Sequence, residues 1–125
     1  MPIGVERLKK RADFLRVASV RRKWAAPGMV LQAARDSSPE QGGVSRVGFT
    51  VTKKVGNAVI RNRVKRRLRA VARDIIPACA NAGWDFVLIG RQNTIDRDYE
   101  DLQSDLLTAL AKVGAKRPDE WRTAK

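Results

Sequence analysis

The chain has 125 residues, a mass of 13.9 kDa and a net charge of +13, from 26 Lys and Arg against 13 Asp and Glu. This length, with 43% hydrophobic residues, predicts one domain over 1–125, with a core over about 5–114 and a tail over 115–125. One cysteine and no histidine exclude, within one chain, a disulfide framework, a Cys/His zinc site and a histidine base, and they favour a cytoplasmic protein.

The N-terminal region predicts a first helix. Spacings of four, three and four residues place Leu8, Ala12, Leu15 and Ser19 on one face of a helix over 5–19. Basic residues interrupt this segment, so it does not resemble an export signal. Uncharged stretches in the chain fall well short of the roughly 18 residues that cross a bilayer, and we expect no membrane partner.

Two strands are predicted after the turn at Pro27-Gly28. The first is Met29–Ala34, and the second is Val44–Thr52, where apolar and small or polar residues alternate. The polar segment 36–43 between them predicts a hairpin loop, which would pair the two strands antiparallel.

A second helix is predicted from the N-cap Asn57 to about Asp74, with Pro77 marking its end. Its apolar residues recur at helical spacing: Ile60, Val64, Leu68, Val71 and Ile75.

The last two predicted elements are a strand and a helix. Trp84–Gly90 is an apolar run typical of a strand buried on both faces, parallel to Val44–Thr52. The final helix begins near Asp96 or Asp98 and ends at Gly114. The elements together predict an α+β sandwich of three helices on a mixed sheet.

Positive charge is concentrated on the second helix. Residues 1–73 hold 19 basic and 4 acidic side chains (+15), and residues 74–125 hold 7 and 9 (−2), which sum to +13. The segment 53–73 has nine basic residues and no acidic one. Four like-charge pairs at i, i+4 cost roughly 1 kcal/mol together, which argues against an ordinary solvated face and favours a polyanion partner. The narrow apolar stripe argues against a membrane surface and favours nucleic acid.

The start of this helix predicts an anion site. Lys53 and Lys54 precede Gly56-Asn57, so two ammonium groups and free backbone N–H groups converge at a helix N-terminus. The alternative is a capped helix that follows a strand with charged end residues. The acids over 96–105 are explained by the dipole of the final helix, and we predict no protein metal site there.

The segment Val55–Arg69, preceded by 50–54, resembles the signature of the bacterial ribonuclease P protein family, whose hallmark is an Arg-Asn-Arg motif on a basic helix. The family's opening helix carries the motifs Leu-Lys-Lys and Asp-Phe, which this chain has at 8–10 and 13–14.

The resemblance implies a ribonucleoprotein that removes the 5′ leader of precursor tRNA. Its catalytic RNA would carry the chemistry with Mg²⁺ held mainly by RNA, and the protein would have no catalytic residue and no small-molecule cofactor. The implied fold is a two-layer sandwich like the second domain of a small-subunit ribosomal protein, with an unusual left-handed βαβ crossover.

The resemblance also assigns residues to two contacts. The leader would lie in a cleft between the sheet and the first helix, against Phe14. Helical spacing places Lys10 and Arg11 beside this ring, and we predict that they contact the leader too. The contacts to the catalytic RNA would be Lys53, Lys54, Arg61, Asn62, Arg63, Lys65, Arg66, Arg67 and Arg69.

Two departures and two alternatives accompany these assignments. Ala18 and Gln32 stand where many members carry aromatic residues, which predicts a less aromatic cleft. Phe14 packing at the edge of the core is the alternative to leader binding. A ribosomal or RNA-chaperone protein is the alternative for the whole chain, because it needs only the charge and the fold.

Overall fold

The computed structural model describes residues 5–35, 45–81 and 83–116, which form one five-stranded sheet and three α-helices. The strands are β1 (Val5–Arg7), β2 (Lys23–Ala25), β3 (Met29–Arg35), β4 (Ser45–Thr50) and β5 (Trp84–Gly90). The helices are α1 (Arg11–Val20), α2 (Ala58–Cys79) and α3 (Tyr99–Lys112). None of these helices is long and apolar enough to cross a membrane.

The sheet order is β1-β4-β5-β3-β2, with β5 at the centre. β5 is parallel to β4, as predicted, and antiparallel to β3. The predicted antiparallel pairing of β3 with β4 is wrong, because β5 lies between them. The almost continuous apolar sequence of β5 suits its central position, because helices cover both faces of the sheet there. The predicted hairpin loop 36–43 lies outside the described residues.

Helices cover both faces of the sheet. Alternate residues of β3 and β5, including Leu31, Phe86 and Leu88, pack with α2 and α3 in the main core. Ala34 and Val87 point the other way and pack with Leu8 and Val17, so α1 lies across the opposite face. The α+β class with three helices on a mixed sheet is confirmed, and α1 on the second face adds a layer to the two that the resemblance implies. The left-handed sense of the crossover through α2 stays a prediction.

The predicted bounds and inward face of α1 are wrong. The helix begins at Arg11, and the buried Leu8 belongs to the extended segment before it, where its N–H donates to the Val47 carbonyl at 2.9 Å. Leu15 is 57% exposed, whereas Val17 is fully buried. Polar contacts to the sheet, described below, turn a different side of the helix inward than the apolar spacing predicts.

The predicted end of α2 is also wrong, because the helix continues through Pro77 to Cys79. Proline removes one backbone hydrogen bond, but the buried Ile75 and Ile76 keep the last turns packed on the core. The predicted start is confirmed, since the Asn57 side chain accepts a 3.0 Å hydrogen bond from the Ile60 N–H. Gly114, with φ of 83°, ends the final helix as predicted.

Candidate nucleic-acid interface

The fold turns the cations of α2 outward. The helix buries one stripe, including Val64, Leu68 and Val71, against the sheet and α3. The predicted contact residues Lys53, Lys54, Asn62, Arg63, Arg66 and Arg69 are exposed, and Arg61, Lys65 and Arg67 are half-buried. The predicted contacts of α2 are thus distributed around the outer side of the helix, with Lys53 and Lys54 in the turn before it, and we call these nine residues the α2 face.

The cations of the α2 face have no carboxylate partners within the described ranges. Within the described residues, the ion pairs join Arg16 to Asp85, Arg46 to Asp13 and to Asp85, and Arg97 to Asp105. All of these pairs lie on α1, the sheet, α3 or the segment before α3. The charge of the α2 face is therefore available to an external polyanion.

The start of α2 matches the predicted anion site only in part. Residues Lys53–Val55 form a 3-10 turn rather than the end of a strand, and both lysines are exposed. Lys54 and Arg91 line one open pocket of about 480 Å³, where the Gln92 side chain donates to the Lys54 carbonyl at 3.1 Å. Arg91 was not among the predicted site residues. The available signal was its position directly after a buried strand, which places its cation at the end of the sheet.

Arg67 differs from its neighbours on the α2 face. Its guanidinium donates to the backbone carbonyl of Arg97, and its Nε is buried without a hydrogen-bond partner within the described part of the chain. Arg67 therefore fastens α2 to the segment before α3. Its predicted role as an RNA contact stays a prediction.

Phe14 lies on the opposite face of the sheet, on α1. The side chain is half-buried and packs against the Leu8, Val17 and Val87 cluster. A Cβ placed on Gly48 of β4 would lie 2.5 Å from the ring, so the ring rests directly on this glycine. This position fits packing at the edge of the core and also leaves part of the ring exposed beside the sheet. The predicted leader contacts Lys10 and Arg11 are exposed at the start of the same helix.

A charged network that the sequence reasoning missed joins α1 to the sheet. Asp85 of β5 is fully buried and accepts hydrogen bonds from Arg46 Nε at 2.9 Å and Nη2 at 2.7 Å. Arg16 of α1 also donates to Asp85, and Arg46 reaches Asp13 of α1 at 3.4 Å. The available signal was a lone acid inside an apolar strand, which requires a buried partner.

The two residues that depart from the family pattern, Ala18 and Gln32, lie on the α1 side of the sheet. Gln32 is half-buried on β3, on the same side of the strand as Ala34, and Ala18 is exposed on α1. Trp24 pairs with Leu31 in the strand register. The Nζ atom of Lys112 on α3 lies over the Trp24 ring, 5.3 Å from the ring centroid. Among the described residues, Phe14 is therefore the aromatic residue on the α1 side of the sheet.

Within the described residues, no group of three or more Asp, Glu or Cys could hold a metal ion. Asp105 is nearly buried and accepts from the Gly28 N–H at 3.0 Å and from Arg97 Nε at 2.5 Å. The hydrogen bond to Asp105 raises the pKa of Arg97 above its usual value.

Comparisons with known proteins agree on one family. Residues 4–114 match the family model described as Ribonuclease P. The chain is 59% identical to the ribonuclease P protein component of Paramagnetospirillum magneticum, over 92% of this chain and 87% of that protein. It is 49% identical to the component of Ruegeria pomeroyi, over 92% and 91%.

Solved structures show the same fold. The ribonuclease P protein of Staphylococcus aureus superposes with a TM-score of 0.71 at 29% identity, over 89% of this chain and 97% of that one. The protein from Thermotoga maritima gives a TM-score of 0.68 at 27% identity, over 82% and 93%.

Proposed function

The chain belongs to the bacterial ribonuclease P protein family, and we propose that it binds the catalytic RNA through the α2 face and the 5′ leader of precursor tRNA beside α1. Membership makes it the protein subunit of an endoribonuclease that is a ribonucleoprotein. In this proposal it assists removal of the leader, which gives the mature 5′ end of the tRNA, in the cytoplasm.

The unpaired cations of the α2 face carry this proposal. Within the described residues no ion pair neutralises them, and four pairs of like charge repel each other along the helix. A phosphate backbone along the helix converts that repulsion into attraction and releases counterions. Arginine predominates, and its planar fork suits bidentate phosphate contacts.

The leader contact rests on the α1 side of the sheet. Phe14 supplies a partly exposed ring, and Lys10 lies one turn before it, where its carbonyl accepts from the Phe14 N–H at 3.3 Å. A single strand binds well to a ring that stacks on a base beside cations that neutralise phosphates. Half-buried Gln32 would add a polar contact on this side of the sheet.

The protein in this proposal binds and orients, and the RNA carries the chemistry. The buried carboxylates Asp85 and Asp105 already accept hydrogen bonds from arginines, so they are poor candidates for a general base. We place the Mg²⁺ ions on the RNA, where phosphate oxygens provide the hard ligands that this ion prefers.

The test is a reconstitution. Cleavage of a 5′-extended precursor tRNA at low millimolar Mg²⁺ is measured with the protein alone, with a cognate ribonuclease P RNA alone, and with both. We expect accurate leader removal to be much faster with both, and no cleavage by the protein alone. Tight, salt-sensitive RNA binding without any stimulation would contradict the proposal and favour the ribosomal or RNA-chaperone alternative.

A further inference from the structure

A pocket lies where α2 meets the edge of the sheet formed by β1 and β4. Its volume is about 270 Å³, slightly below the range of pockets that take drug-sized ligands. The lining residues are Glu6, Arg7, Val47, Phe49, Arg69, Ala72, Arg73 and Pro77. Of the RNA contacts that the family resemblance assigns to this chain, only Arg69 lines this pocket.

The pocket combines an apolar floor with a cationic rim. Phe49 and Pro77 are half-buried and form the accessible apolar surface, above the buried Val47 and Ala72. Arg69 and Arg73 lie one turn apart on α2 and are both exposed. Arg69 also belongs to the α2 face, so the pocket is continuous with the surface that we assign to RNA.

The chemistry of the lining selects among occupants. A phosphate alone pairs with the arginines at the rim, but it gains nothing from the apolar floor and is repelled by the carboxylate of Glu6. A purely apolar peptide gains nothing from the three arginines at the rim. A nucleobase satisfies both parts, because its faces pack on apolar side chains, its amino edge donates to a carboxylate, and its backbone carries phosphates to the rim.

We propose that this pocket receives an unpaired nucleobase of the catalytic RNA, with the flanking phosphates on Arg69 and Arg73. The proposal rests on the proposed function, since it specifies how the same RNA is recognised. Phosphate contacts along α2 would supply affinity for any helical RNA backbone, and the pocket would require one unstacked nucleotide beside it. The subunit would thereby distinguish its cognate RNA from other structured RNAs.

The test fills the pocket and leaves the cations in place. Ala72→Leu adds carbon atoms at the floor, and Ala78→Leu adds the same atoms at an exposed position of the same helix. Binding of a cognate ribonuclease P RNA is measured over a range of salt concentrations. We expect Ala72→Leu to weaken binding about tenfold, within the range that stacking of one base supplies, with an unchanged salt slope. Ala78→Leu should bind as the wild type does.

Chemical probing of the RNA supplies an independent readout. One unpaired nucleotide should be protected by the wild type and by Ala78→Leu, and should become reactive again in the complex with Ala72→Leu. Phe49→Leu, which keeps an apolar side chain but removes the ring, decides the question if Ala72→Leu does not fold. It should weaken binding and expose the same nucleotide.

Unchanged affinity and unchanged protection in folded Ala72→Leu or Phe49→Leu would overturn the pocket and leave the proposed function intact. Failure of the wild-type protein to bind or stimulate the RNA would instead overturn the proposed function.

Discussion

At the scale of single residues, Arg66 and Arg67 show how neighbours on a helix separate into binding and structural roles. Arg66 is exposed, whereas Arg67 donates to the Arg97 carbonyl and has a buried Nε. We expect Arg66→Ala to flatten the log-log salt dependence of RNA binding by about one unit, because one phosphate contact is lost. Arg67→Ala should change that slope less and lower the free energy of unfolding more, as measured by urea titration.

Lys112→Ala is the control for this comparison, because Lys112 is an exposed cation on α3, away from the α2 face. It should leave the salt slope unchanged. Equal slopes for Arg66→Ala and Lys112→Ala would show that Arg66 does not contact phosphate.

Tyr99 gives a pH-dependent prediction. Burial, followed by its hydrogen bond to Asp74, raises the pKa of Tyr99 to about 12, against about 10 in an unfolded chain. The folded state thus holds this proton more tightly. The resulting stabilisation is complete below pH 10 and is lost as the pH rises from 10 to 12.

Tyr99 is the single tyrosine of the chain, so its ionisation can be followed directly by ultraviolet absorbance. Asp74→Asn should lower the pKa of Tyr99, because the negative charge that favours the protonated phenol is removed. Tyr99→Phe should remove the corresponding loss of stability above pH 10. An unchanged titration in Asp74→Asn would contradict the role of the Asp74 charge.

At the scale of elements, α1 links the packing of the sheet to the proposed leader contact. Phe14→Ala should weaken binding of leader-bearing precursor tRNA more than binding of mature tRNA in the reconstituted enzyme, by about 5- to 100-fold if one base stacks on the ring. The neighbouring Leu15 is 57% exposed on the outer side of α1, so Leu15→Ala is the matched control and should bind both RNAs normally. Equal losses for both RNAs in Phe14→Ala would indicate a structural role alone.

The docking of α1 uses charged contacts beside its apolar ones. Val17 is its one fully buried residue, while Asp85 holds both Arg16 of α1 and Arg46 of β4. Asp85→Asn should lower the free energy of unfolding by about 3 kcal/mol, because two partly buried guanidinium groups lose their counter-charge. Asp13→Asn removes a longer, more exposed pair and should cost less than about 1 kcal/mol. Similar values for the two variants in urea unfolding would contradict this account.

The sequence predicts those elements whose residues carry their own pattern. The stripe of α2, its cap at Asn57 and the apolar strand Trp84–Gly90 are local signals, and the structure confirms them. The three-residue strands β1 and β2 have no such pattern, because they depend on their neighbours β4 and β3. The inward side of α1 is set by a carboxylate some 70 positions away in the chain, which helical spacing does not reveal.

The candidate site divides in the same way. The exposed cations of the α2 face can be predicted from residue spacing on one helix. The roles of Arg91 and of the pocket at the edge formed by β1 and β4 become visible only when the order of the strands is known. The different role of Arg67 follows from one long-range contact to Arg97.

At the scale of the molecule, the net charge of +13 predicts that salt stabilises the fold. Raising sodium chloride from about 0.01 M to about 0.15 M shortens the screening length from roughly 30 Å to 8 Å and should raise the midpoint of thermal unfolding. A variant with Arg63, Arg66 and Arg69 changed to Gln, whose net charge is 13 − 3 = +10, should gain less. Equal gains in both proteins would show that self-repulsion along α2 does not limit stability.

The central position of β5 has a consequence for how the chain is made. β5 is the last strand among the described residues, yet β3 and β4 both pair with it and not with each other. A ribosome therefore releases β1 to β4 and the whole of α2 before the strand that joins the two halves of the sheet exists. Because N-terminal segments emerge first, the basic helix spends this interval without its packing surface. We expect nascent chains that end before Trp84 to remain unfolded, so the α2 face takes shape only in the last third of synthesis.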